Sequence, residues 1–141
     1  MAADFAIFEN SFSDTFLELG YVSVSDGSLA PNSSEKLFLA FDNRSLTSSP
    51  VNAFGAMDPT NIDGLAGKYR GGFGTPFDLS SLSPLISDIQ RALPGFSFNL
   101  NNIVQVKIID VVGDGTNLDT SLQPIYDPYP TAGSVGFDLD A

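Results

Sequence analysis

The acidic side chains of the C-terminal third are the residues best placed to do chemistry. Downstream of Lys107 there is no basic residue, yet six Asp follow: Asp110, Asp114, Asp119, Asp127, Asp138 and Asp140. Such a cluster repels itself unless it is splayed into solvent or neutralised by a cation. The chain has no Cys, His or Trp, which removes thiolate and imidazole nucleophile-base pairs and the usual ligands of zinc, copper and iron. Any chemistry must use oxygen ligands, Lys, Tyr or carboxylates. Calcium suits such a set, because it takes about six to eight oxygens at about 2.3–2.6 Å and accepts backbone carbonyls.

In the closing GFDLDA, a period of two puts Asp138 and Asp140 on one face of a strand and Phe137 and Leu139 on the other, toward the core. The expected calcium site is therefore Asp138 and Asp140, completed by Glu9, Asn10 and Asp127. Asp114 and Asp119 read instead as turn residues that cap their own loops. The stretch DVVGDG (110–115) is not an EF-hand loop, since the ligand spacing and the Glu at position twelve are missing.

A second cluster lies in Gly64 to Thr75 (GLAGKYRGGFGT). It lacks the G-K-[ST] ending of a phosphate loop and precedes no strong helix N-terminus. It does gather Lys68, Tyr69, Arg70 and Phe73, which suit a sugar or an acidic glycan. The alternative is a packed loop in which Arg70 pairs with an Asp. Glycoside hydrolysis would need two carboxylates about 5–9.5 Å apart. No such pair stands out, and the chain is expected not to be an enzyme. The sequons at Asn32 and Asn43 matter only in a glycosylating host.

The 141 residues have room for one domain, and 43% apolar residues with twelve Phe are enough to fill its core. Six Lys plus Arg against seventeen Asp plus Glu give a net charge of -11, which argues against nucleic acid and anionic membrane surfaces as partners. No apolar run reaches the roughly 18 residues of a membrane span, so direct membrane insertion is not expected. Fourteen of the acids are Asp, a residue that favours turns and strand ends over helix faces.

The elements that must position these residues are mostly strands. Asp4–Asn10 is an apolar strand opening into a loop. Leu17–Ser25 places Leu17, Leu19 and Tyr21 on one parity and Val22 and Val24 on the other, before the Asp26-Gly27 turn. Lys36–Asp42 is a third strand. Residues 43–79 form a long loop tied down by Phe54, Met57, Leu65, Tyr69, Phe73 and Phe77. Ser81–Leu93 is the one helical pattern, with Ser83 as cap, Pro84 in the first turn and Pro94-Gly95 beyond its end. Phe96–Leu100 and Ile103–Val112 follow as strands, the second β-branched and expected to be central. Irregular loops then lead to a last strand, Val135–Ala141. The expected fold is mainly β: a jelly-roll-like antiparallel β-sandwich with one short helix and long loops.

The segments DFAIFEN (4–10), YVSVSDG (21–27), DPTNIDGLAGKYRGGFGTPFDL (58–79) and VKIIDVVGDG with PIYDPYPTAGSVGFDLDA (106–115, 124–141) resemble uncharacterised bacterial exported cell-surface domains of the PEP-CTERM-associated type. The resemblance covers most of the chain, and IYDPYPT and GFDLDA are its most specific parts. It implies export, an extracellular or cell-surface location and a galactose-binding-like or carbohydrate-module-like jelly roll. It carries over no catalytic residue. Such domains usually have a further strand before DFAIFEN and an apolar stretch after GFDLDA, so residues 1–141 read as a single sandwich domain clipped at both ends. A clipped sheet edge invites pairing with another chain. Two functions follow: a calcium-stabilised adhesion domain binding carbohydrate or another surface component, and a structural subunit that self-assembles into a layer or filament by β-strand complementation.

Overall fold

The computed structural model describes residues 3–11, 13–53, 55–130 and 137–141. The expected loop anchor Phe54 and the start of the last strand, 135–136, lie outside the described residues. Strand β1 (Phe5–Ile7) pairs antiparallel with β6 (Thr75–Phe77), Phe5 opposite Phe77. Strand β2 (Gly20–Ser25) is central in a three-stranded antiparallel sheet between β3 (Leu39–Ala40) and β7 (Gln105–Asp110). Its pairing with β7 runs from Gly20 opposite Asp110 to Ser25 opposite Gln105. Two further antiparallel pairs, β4 (Arg44–Ser45) with β5 (Ile62–Asp63) and β8 (Asp114–Leu118) with β9 (Pro124–Tyr126), complete the strands among the described residues. The chain is thus mainly β, with several small antiparallel sheets in a sandwich-like arrangement and one short helix.

The parity seen in Leu17–Ser25 explains why β2 lies at the centre. Val22 and Val24 enter one apolar cluster with Ile7, Leu39, Phe41, Phe77, Leu82, Ile86 and Phe98. Leu17 and Leu19 enter a second with Met57, Ile62, Leu65, Val111 and Ile125. Fully burying such a side chain stabilises the fold by about 1.5–3 kcal/mol, so this one segment anchors both halves. Phe77 stacks on Phe5 at 5.4 Å between ring centroids and lies 5.0 Å from Phe41, which fastens β1 and β6 over the first cluster. Gly20 permits the close approach of β7: a Cβ there would lie 2.8 Å from the Ile108 side chain and 3.2 Å from Phe137.

Helix α1 covers Ser83–Ala92, shorter than the periodicity predicts, because residues Leu79–Leu82 form a 3-10 turn. Asp78 caps that turn by accepting from the Ser80 amide, and Ser83 makes no cap for α1. Leu85, Ile86 and Ile89 face the first cluster, while Leu93 stands exposed past the helix end. Phe96–Leu100 is not a strand, although Phe96, Phe98 and Leu100 all pack on that cluster. Among the described residues strand β7 is an edge rather than the centre, with Val104, Val106, Ile109 and Val112 exposed at and beside it. β-Branching reports fit to a pleated surface, not position in a sheet. The long loop is partly structured by β4, β5, β6 and a 3-10 turn at Pro59–Asn61. Met57, Leu65 and Phe77 anchor it as expected, whereas Tyr69 and Phe73 are exposed. The β8–β9 hairpin replaces the irregular loop expected after Gly113.

Candidate functional site

Five carboxylates from distant parts of the chain meet near the N-terminal end of β2. Glu9 follows β1, Glu18 precedes β2, Asp110 ends β7, Asp127 follows β9, and Asp138 belongs to the C-terminal segment. Three of them are buried: Glu9 is 2% exposed, Glu18 8% and Asp127 4%. Asp110 and Asp138 are exposed and form the solvent side of the group.

Local sequence explains the burial. Glu18 lies between Leu17 and Leu19, both fully inside the second cluster, so the backbone that buries them carries it inward. Asp127 follows the buried Ile125 in β9, and its Oδ2 accepts from the Leu19 amide at 3.0 Å. Gly113 makes this possible, because a Cβ there would overlap the Asp127 carboxylate and backbone. Glu9 is held by the C-terminal segment. The Asn10 amide donates to the Asp138 carbonyl at 2.9 Å, the Asp140 amide donates to the Phe8 carbonyl at 2.8 Å, and Glu9 bridges Leu139. The Phe137 amide donates to Asp110 Oδ1 at 2.7 Å, tying the same segment to the end of β7.

The electrostatics are one-sided. Burial pushes the Glu9 carboxyl up to about 7, helped by the charges of Glu18 and Asp138 and opposed by a hydrogen bond from the Asp138 amide. Glu18 rises to about 7 through burial, then Asp110 and Asp138. Asp127 rises to about 7 through burial, with Asp110 and Glu18 adding to it and the Leu19 amide opposing it. Every charged neighbour acting on these three groups is another carboxylate, and Glu18 interacts with all four of the others. The second oxygen of Glu9, Oε2, is buried without a hydrogen-bond partner. A buried acceptor in that state costs about 1–3 kcal/mol, and more when charged, unless a proton or a cation satisfies it. Among the described residues, no group of three or more acidic side chains is arranged to hold a metal ion.

Of the expected metal ligands, Glu9, Asp127 and Asp138 each interact electrostatically with Glu18. Asn10 is exposed, its side-chain oxygen beside Gly71. Asp140 is exposed, and its charge is not among those acting on the buried three. Phe137 packs on the first cluster as expected, but Leu139, opposite Glu9 in the bridge to the strand after β1, is 56% exposed. Glu18 and Asp110 were not singled out from the sequence. An acid between two core Leu residues was the available signal for Glu18; Asp110 gave none beyond membership of the Asp run. Asp114 is a turn residue, held below the usual carboxylate range by the Thr116 hydroxyl and amide. Asp119 caps its turn through the Ser121 and Gln123 amides but is also buried and accepts from the Ser45 amide, so it pins β4 to the hairpin.

The basic and aromatic loop lies against the same strand segment. The Gly71 amide donates to the Ser11 carbonyl at 2.6 Å. Gly67, at φ +88°, brings its backbone against the Glu18 carbonyl, where any Cβ would overlap it. Lys68 pairs with Asp63 at 3.6 Å and sits 5.7 Å from the Tyr69 ring. Arg70 pairs with Asp14 at 3.5 Å and lies 5.0 Å over Phe73. The Arg–Asp pairing of a packed loop is therefore present, yet Tyr69 and Phe73 keep exposed rings.

No family model, curated protein or solved structure matches this chain. No helix among the described residues is long and apolar enough to cross a membrane.

Proposed function

We propose that this chain is a non-catalytic, calcium-stabilised β-domain of an exported surface protein, jelly-roll-like in its strand layout, that binds carbohydrate or another surface component. The observation that carries it is the unpartnered Oε2 of Glu9, buried inside a group of five carboxylates with no cationic neighbour acting on its three buried members. An all-oxygen set of this kind suits a hard cation with flexible coordination. Glu9, Glu18 and Asp138 would hold the ion. Calcium supplies positive charge that lets the acids stay ionised while buried; it has no redox chemistry to offer. The exposed rings of Tyr69 and Phe73, stiffened by Lys68 and Arg70, form the surface suited to a sugar face.

Calorimetric titration with calcium tests the first half. One ion bound by the wild type and none by Glu18→Gln is the expected result, and no heat from the wild type overturns it. Binding to a panel of soluble polysaccharides, lost in Tyr69→Ala with Phe73→Ala, tests the second. One observation favours a structural subunit instead: among the described residues β7 is an edge strand with Val106 and Ile109 exposed, and such an edge can add a strand from another chain. Sedimentation that shifts with concentration in the wild type but not in Ile109→Lys would support that alternative.

A further inference from the structure

We infer that the cleft between residues 45–48 and the β8–β9 hairpin is a site for one uncharged sugar ring, with the Ser45 hydroxyl at its floor and the Tyr126 ring at its side. The inference rests on the carbohydrate reading above and deepens it with a site built from residues outside the Lys68–Phe73 loop. The cleft encloses about 220 Å³, less than the roughly 300–1,000 Å³ of pockets that take drug-sized ligands. One side is residues 45–48, and the other is Gln123, Pro124 and Tyr126. Among its described lining residues Ser45 alone is buried, at 3% exposed, so it closes the bottom.

The Ser45 Oγ is buried with no hydrogen-bond partner among the described residues. A hydroxyl can both donate and accept, and leaving it buried and unbonded is costly. A ligand hydroxyl entering the cleft satisfies it. The two sides are set at a fixed span before any ligand arrives, because Asp119 accepts from the Ser45 amide on one side and from the Ser121 and Gln123 amides on the other. A preformed cleft spares a ligand the cost of ordering it. Tyr126 is held as firmly. Gly115, at φ +89°, brings the β8 backbone against its ring, where a Cβ would lie 2.6 Å from Cε1.

The lining selects the chemistry. It supplies the hydroxyls of Ser45, Thr47 and Ser48 and the Gln123 side-chain amide beside an aromatic ring, and no charged side chain is among its described residues. Hydroxyls and an amide match the hydroxyls of a sugar, and the ring matches its apolar C–H face. An anion would be repelled by Asp119 beneath Ser45 and by the net charge of -11. A cation gains little from Asp119, whose carboxylate is already met by three amides.

Amide chemical shifts of the full chain, followed by NMR as free glucose, galactose, mannose and N-acetylglucosamine are added in turn, test the site. The expected result is saturating shifts at the amides of residues 45–48, Gln123 and Tyr126 with at least one of these sugars. The same shifts should appear in the Tyr69→Ala, Phe73→Ala double variant, which separates this cleft from the loop surface. Ser45→Ala should weaken binding at least about tenfold without lowering stability in urea, because the hydroxyl it removes bonds nothing in the free protein. No saturating shift at these amides with any of the four sugars overturns the inference, and polysaccharide binding through Tyr69 and Phe73 then decides the wider carbohydrate reading on its own. A Ser45→Ala variant that binds as tightly as the wild type also overturns it. Glucuronate or glucosamine bound as tightly as the neutral sugars would overturn the assignment to an uncharged ring.

Discussion

Replacing Glu9 by Gln should make the calcium-free protein more stable at pH 8 and leave it unchanged at pH 4.5. Glu9 titrates near 7 in the folded protein against an ordinary value of 4.5. A folded-state value above the unfolded one means that the native state binds the proton more tightly. The stability this contributes is fully present below about 4.5 and is lost as pH rises through about 7. A shift of this size corresponds to about 3 kcal/mol at about 1.4 kcal/mol per unit. Gln keeps the acceptor for the Asp138 amide and carries no charge, so it should recover much of that energy at pH 8. Glu18 and Asp127 titrate in the same range for the same first reason, burial. Because the three are coupled, the wild-type slope between pH 5 and 7 should correspond to between one and three protons, about 1.4–4 kcal/mol per pH unit. The carboxylates held low, Asp26, Asp58, Asp78 and Asp114, act in the opposite sense but only as pH falls below their ordinary 3.8. Urea unfolding in chelator across pH 4.5–8.5, for wild type and Glu9→Gln, measures both quantities. A wild type that gains stability from pH 5 to 8 in chelator, or a variant that tracks it at every pH, would refute the reasoning.

Calcium at about one hundred times its dissociation constant should stabilise the wild type by about 2.7 kcal/mol, roughly 9 °C in melting temperature for a chain of this length; scanning calorimetry with calcium and with chelator checks it. Gly113→Ala should lower stability by on the order of 3 kcal/mol, because the added Cβ meets Asp127 side chain and backbone together, and urea unfolding reads the loss. Asp119→Ala should cost at least about 3 kcal/mol by leaving the Ser45, Ser121 and Gln123 amides without their acceptor. That loss should be the same with and without calcium, which separates the hairpin pin from the acidic site. Tyr69→Ala and Phe73→Ala should change stability by less than those core variants while abolishing polysaccharide binding, as measured by affinity electrophoresis.

What the sequence determined by itself was whatever depends on residue type and local period. The apolar parity of Leu17–Ser25 marked the segment that joins both clusters, the three-and-four spacing of Leu85, Ile86 and Ile89 marked the helix, and the lack of Cys and His restricted any site to oxygen ligands. Asp138 was legible as a candidate because it is an acid set between core residues, and Glu9 and Asp127 as oxygen ligands to complete its site. The tertiary structure alone decided which acids share a space. Glu18 became the hub because β2 pairs with β7, bringing Asp110 alongside, while Asp127 reaches the Leu19 amide from more than a hundred residues away. Asp140 obeys the same strand period as Asp138, yet its charge is not among those acting on the buried three. The edge position of β7 and the burial of Asp119 were hidden for the same reason. Local sequence sets how a segment can be shaped, and long-range pairing sets what it faces.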